Sequence, residues 1–94
     1  MNYQKPFYDV LLEKNKEIVA SYQKSEAFNE YVTNLSNSID KDMLIMLAHE
    51  LKTKIKYDNM TRNMEASAIR TLFTFILAIK EIEKNNENTI KTIK

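Results

Sequence analysis

The 94-residue chain has no glycine, no cysteine and no tryptophan, and only one proline. Without glycine it lacks the residue that reaches positive φ at no steric cost, which argues against tight hairpins and glycine-rich phosphate loops. Without cysteine there is no disulfide, no thiolate metal site and no cysteine nucleophile, and the redox compartment leaves no trace in the composition. The single histidine, His49, cannot form the two-histidine pair of an HExxH metal motif, and with Glu50 and Glu30 it makes no convincing ligand set. The serines at positions 21, 25, 36, 38 and 67 have no second histidine to serve as base, so nucleophilic hydrolysis has no support. No metal, no cofactor and no hydrolase activity are expected. The longest apolar run, LFTFILAI from Leu72 to Ile79, falls far short of the roughly 20 residues that cross a bilayer. The amino terminus also lacks a signal peptide's basic start and apolar core. A cytoplasmic protein with no transmembrane segment is the expectation.

What the chain does contain favours helix. Leu, Ile, Lys, Glu, Met and Ala are all good helix formers, and the fold class they imply is all-α. Pro6 suits the first turn of a helix, and Phe7, Leu11, Ile18 and Tyr22 recur at helical spacing, which places a first helix over Pro6 to Gln23. Ser25 can cap a second helix with the apolar stripe Phe28, Tyr31, Val32, Leu35 and Ile39. Asp40 can cap a third, built on Leu44, Leu47, Ala48, Leu51 and Ile55. The segment YDNMT, Tyr57 to Thr61, interrupts the pattern as a turn, with Asn59 the residue best suited to a left-handed conformation. A last helix then runs from Thr61 to Lys84, and its apolar residues cover more than the ~100° arc of a simple surface helix, so it needs two neighbours. Four amphipathic segments with short connections predict an antiparallel four-helix bundle over residues 1–84. Either the monomer covers the last helix fully or dimerisation completes the bundle. The polar segment NNENTIKTIK, 85–94, has only Ile90 and Ile93 to anchor it and is expected to be a mobile tail.

Ile45, His49, Lys52 and Lys56 are spaced by four, three and four residues, so they form one stripe beside the core face of the third helix. His49 is therefore expected to be solvated and flanked by cations. The string Leu47-Ala48-His49-Glu50-Leu51-Lys52 resembles the phosphorylated-histidine helix of histidine phosphotransfer domains, whose pattern is Ala-His, any residue, Leu-Lys-Gly. The resemblance extends upstream to Asp40 and Leu44 and covers Phe28 to Asn59. It implies a four-helix bundle in which His49 carries a phosphoryl group between aspartates and Lys52 steadies its charge. Thr53 and Asn59 stand where that family has glycines. The same string is similar to the histidine box of sensor kinases, His-Glu-Leu-Lys-Thr-Pro, but Lys54 replaces the proline and the chain is too short for an ATP-binding domain, so autophosphorylation is not expected.

Three functions follow from these features. The preferred one is a small non-catalytic helical protein that binds a partner protein and regulates it, inhibits it or protects against it, as bacterial or phage-type regulators and immunity proteins do. The candidate contact residues are Ile45, His49, Lys52, Lys56 and Arg62. The alternative is phosphotransfer through His49 with Lys52 in support. The least favoured is a helical nucleic-acid binder, because the net charge is only +1 and the basic residues Lys52, Lys54, Lys56 and Arg62 suit a solvated helix face equally well. The aromatic residues crowding the first third, Tyr3, Phe7, Tyr8, Tyr22, Phe28 and Tyr31, are expected to fill the core. Met43, Met46, Met60 and Met64 offer either gap filling or an adaptable docking surface.

Overall fold

The computed structural model describes residues 5–55 and 66–93, with side chains in the last helix described over 67–86. The described residues form five helices and no strand: α1 Phe7–Lys14, α2 Lys16–Gln23, α3 Glu26–Ser38, α4 Lys41–Lys54 and α5 Ala66–Ile93. The all-α class expected from composition is what the chain adopts. Among the described residues five helices stand where four were expected, because the first predicted helix is divided at Asn15. That residue leaves helical geometry, with φ −123° and ψ 30°. Its backbone N–H (3.1 Å) and its side-chain amide Nδ2 (3.0 Å) both donate to the Leu11 carbonyl. An asparagine that satisfies a nearby carbonyl with its own side chain competes with helix propagation. The predicted turn at Tyr57 to Thr61 lies outside the described residues.

Two helix starts agree with the sequence. Ser25 Oγ accepts the Phe28 N–H at 3.3 Å at the start of α3, and Asp40 Oδ2 accepts the Asp42 N–H at 3.1 Å at the start of α4. Each satisfies one of the donors that a helix amino terminus leaves unpaired.

The last helix is longer than expected and runs to Ile93 instead of ending at Lys84. Nothing between Asn85 and Ile93 is proline or glycine, so no residue there forces a stop. At 28 residues it spans about 42 Å at 1.5 Å per residue. Its middle is the centre of the fold, packed most extensively against α4 and α3. Leu72, Phe73, Ile76, Ala78 and Ile79 are all 0% exposed. Thr74 is equally buried, and its hydroxyl is satisfied by donating to the Arg70 carbonyl at 2.6 Å. Leu72 and Ile76 lie on the opposite side of α5 from Thr74 and Ala78, so this stretch is covered nearly all round. The two neighbours it requires are supplied within the chain.

The remaining core comes from Tyr8 and Leu11 of α1, Val19 of α2, Phe28 and Val32 of α3, and Leu44 and Ala48 of α4, closed by Ile55. Tyr22 joins α2 to this core, its ring 5.4 Å from that of Phe28 and 6.3 Å from that of Phe73. Most of the described early aromatics therefore fill the interior as expected. Tyr31 does not: it is 51% exposed, a correction to the apolar stripe predicted for α3. Among the described residues no helix is long and apolar enough to cross a membrane.

Candidate functional site

Helix α4 sets out the site. Its buried line of Leu44 and Ala48, continued by Ile55, joins the core, and the helical repeat of 3.6 then fixes what lies on each flank. One flank carries Ile45, His49 and Lys52, the other Met43, Met46, Glu50 and Lys54. As expected, His49 is exposed, while Ile45 and Lys52 are half-buried. The other two sequence candidates, Lys56 and Arg62, lie outside the described residues. The structure thus groups Ile45, His49 and Lys52 on one flank.

To these it adds Phe7, which sequence reasoning had assigned to the core. The first turn of α1 lays the half-buried Phe7 ring against this flank. Its centroid is 5.4 Å from that of the His49 imidazole in an edge arrangement, and the Lys52 ammonium Nζ lies 5.1 Å from the same centroid. An ammonium over an aromatic face contributes about 0.5–1 kcal/mol at a solvated position. Thr53, which stands where the phosphotransfer pattern has glycine, donates its hydroxyl to the His49 carbonyl at 2.9 Å, so its oxygen is turned toward the helix backbone. Beside Phe7 is a shallow depression of about 230 Å³ lined by Phe7, Val10, Leu11 and Lys52. Val10 is one of the few large apolar side chains left exposed.

The chemistry available here is one solvated imidazole, one ammonium a helical turn away, and an apolar ring between them. Among the described residues no group of three or more His, Asp or Glu side chains could hold a metal ion. A larger depression, about 370 Å³, lies away from His49 and is bordered by Val32, Leu77, Lys80 and Lys84 among others.

An electrostatic cluster among the described residues joins three helices. Tyr8 Oη donates to Glu83 Oε2 at 2.8 Å, and Lys41 Nζ lies 3.1 Å from the same oxygen. Lys80 Nζ contacts Asp9 Oδ1 at 2.9 Å and Glu83 Oε1 at 3.5 Å. Burial opposes ionisation of Glu83, but the Tyr8 hydrogen bond and the Lys41 ammonium outweigh it and hold the carboxyl below its ordinary range. The Asp9 hydrogen bond holds the Lys80 ammonium above its ordinary value, against the opposing effect of burial. Every group in this cluster is paired, which marks it as a structural clamp between α1, α4 and α5.

In comparison with known proteins, no family model matches the chain, and no curated protein or solved structure matches it.

Proposed function

We propose that the protein is a small non-catalytic helical protein that binds a partner protein and thereby regulates it, inhibits it or protects against it. The observation that supports this reading is the patch formed by Phe7, Val10, Lys52 and His49, in which exposed and half-exposed apolar surface is framed by an ammonium and an imidazole. A patch of this make-up suits a partner segment that presents an apolar anchor next to an acidic residue, because the anchor loses water and the ion pair sets its orientation. Capture of the partner from the producing organism with the full chain, followed by titration of the purified pair, tests it. Val10→Asp and Lys52→Glu are each expected to weaken binding about tenfold or more, the equivalent of about 1.4 kcal/mol, with helical content unchanged. Binding that survives both substitutions sinks the assignment of this face.

A second reading is kept because His49 is exposed, as phosphoryl transfer through an imidazole requires, and the Lys52 ammonium three residues on suits the phosphoryl charge. In that reaction the imidazole nitrogen attacks an aspartyl phosphate, the acyl phosphate bond breaks, and the donor carboxylate is released. Incubation with a phosphorylated receiver domain is then expected to leave an acid-labile phosphate on the wild-type chain and none on His49→Gln. Failure of every receiver from the same organism to label His49 eliminates this reading.

A further inference from the structure

The flank of α4 opposite His49 carries a different feature. Met43 and Met46 are 51% and 55% exposed, two of the few large apolar side chains left in water among the described residues. Next to them lies a shallow depression of about 220 Å³, bounded by Leu47, Glu50, Leu51 and Lys54 of α4 and by Thr71 and Phe75 of α5. The four α4 residues follow the spacing i, i+3, i+4, i+7, the arrangement that forms a hole for a side chain of a facing helix. Met43, Leu47, Glu50 and Lys54 fall within an arc of about 60° at 100° per residue, so projecting side chain and hole share one surface.

We infer that this flank is an interface between two copies of the chain, paired antiparallel about a two-fold axis near Leu47. Three observations select a second copy over a foreign protein. A two-fold interface must be self-complementary, and here a flexible, unbranched methionine lies on one side of Leu47 and the hole on the other. Met43 and Leu51 are each four residues from Leu47, so an antiparallel crossing there seats Met43 of each copy in the hole around Leu51 of the other. The charges agree as well. Asp40 and Lys54 are each seven residues from Leu47, so the same crossing brings the exposed carboxylate of one copy to the exposed ammonium of the other, twice per dimer. The helix dipoles also oppose each other in this arrangement. One helix flank with a fringe of α5 belongs at the low end of specific interface sizes, so the association is reversible and depends on concentration. The face is separate from the Phe7, His49 and Lys52 patch, so the two proposals stand or fall separately.

The test is sedimentation of the full chain over a concentration series, with helical content followed by circular dichroism. The wild type is expected to pass from monomer to dimer as concentration rises. Met43→Glu is expected to weaken association about tenfold or more, because it sets a carboxylate against Leu47, Leu51 and Phe75 and beside the carboxylate of Glu50. Lys54→Glu is expected to weaken it by placing a carboxylate against Asp40. Adding Asp40→Asn to Lys54→Glu recovers part of the association, since asparagine still caps α4 but removes the repulsion. The absence of native cysteine gives an independent readout: Leu47→Cys on the axis forms a disulfide-linked dimer under mild oxidation, whereas Glu30→Cys on exposed α3 does not. A chain that stays monomeric up to ~1 mM, the weak end of the affinity scale, overturns the inference. So does a dimer indifferent to Met43→Glu and Lys54→Glu with helicity intact.

Discussion

Phe73 and Ile76 have no exposed surface and belong to the core cluster at the middle of α5. Removing either side chain leaves a void in a helix that is covered nearly all round, so Phe73→Ala should cost about 3–5 kcal/mol and Ile76→Ala about 2–5 kcal/mol in denaturant melts. Thr74, between them in sequence and equally buried, should behave differently. Its hydroxyl donates only to the carbonyl one turn back, so the isosteric Thr74→Val removes the donor without stranding an acceptor and should change stability by less than about 1 kcal/mol. A large loss on Thr74→Val would mean that its hydroxyl makes a further contact that matters. At this scale the sequence was readable where helical periodicity decides the answer. The exposure of His49 follows from its angular position on α4, and the burial of Leu72, Phe73 and Ile76 from an apolar run too broad for one face of α5. The contact of Phe7 with His49 and Lys52 was not readable, since it depends on how α1 folds back across α4. Tyr31 misled because its spacing matches the buried stripe of α3 while its position falls at the edge of that stripe.

Among the elements, the caps are the clearest case of local sequence determining structure. Ser25→Ala and Asp40→Ala each delete an acceptor for an otherwise unpaired N–H and should each cost about 0.5–2 kcal/mol, with Asp40→Asn close to neutral by comparison. Thermal melts of the three variants check this, and equal losses for Asp40→Ala and Asp40→Asn would show that charge, not capping, is what Asp40 contributes. These helix starts were legible because a Ser or Asp before an apolar repeat has a specific bond to make. The division between α1 and α2 was missed because Asn15 is neither proline nor glycine. Its effect comes from a side chain that returns to the Leu11 carbonyl, and the apolar pattern of Phe7, Leu11, Ile18 and Tyr22 continues through it. The end of α5 was placed too early for the converse reason: a change to polar residues was read as a boundary, yet no proline or glycine stands between Asn85 and Ile93 to stop the helix.

For the molecule as a whole, the cluster of Tyr8, Asp9, Lys41, Lys80 and Glu83 ties α1 and α4 to the distal half of α5. Glu83 has its carboxyl held below the ordinary value of 4.5, so its contribution is present above that value and disappears as pH falls through the lower folded-state value. Lys80 is held above the ordinary 10.5; its contribution is present below that value and is lost as pH rises through the higher folded-state one. Both side chains keep part of their surface in water, so screening keeps each effect modest. Stability should therefore be flat through neutral pH, with an acid limb that becomes shallower in Glu83→Gln. An acid limb of unchanged slope in that variant would assign it to other carboxylates. This cluster escaped sequence reasoning because its members are far apart in the chain, Tyr8 and Glu83 being 75 residues apart.

The nearly complete cover around Leu72 to Ile79 carries a consequence for amide hydrogen exchange. Neither α3 nor α4 can leave this stretch without exposing several buried side chains at once, so its amides should be the last to exchange, and their protection should report the global stability. Helices α1 and α2 have eight residues each, too few to persist alone in water, and should open earlier by releasing Tyr8 and Asp9 from Glu83 and Lys80. Acidification should then lower the protection factors of α1, taken relative to the slower intrinsic exchange at acid pH, before it lowers those of α5, so that a single exchange series ranks the order in which this chain comes apart.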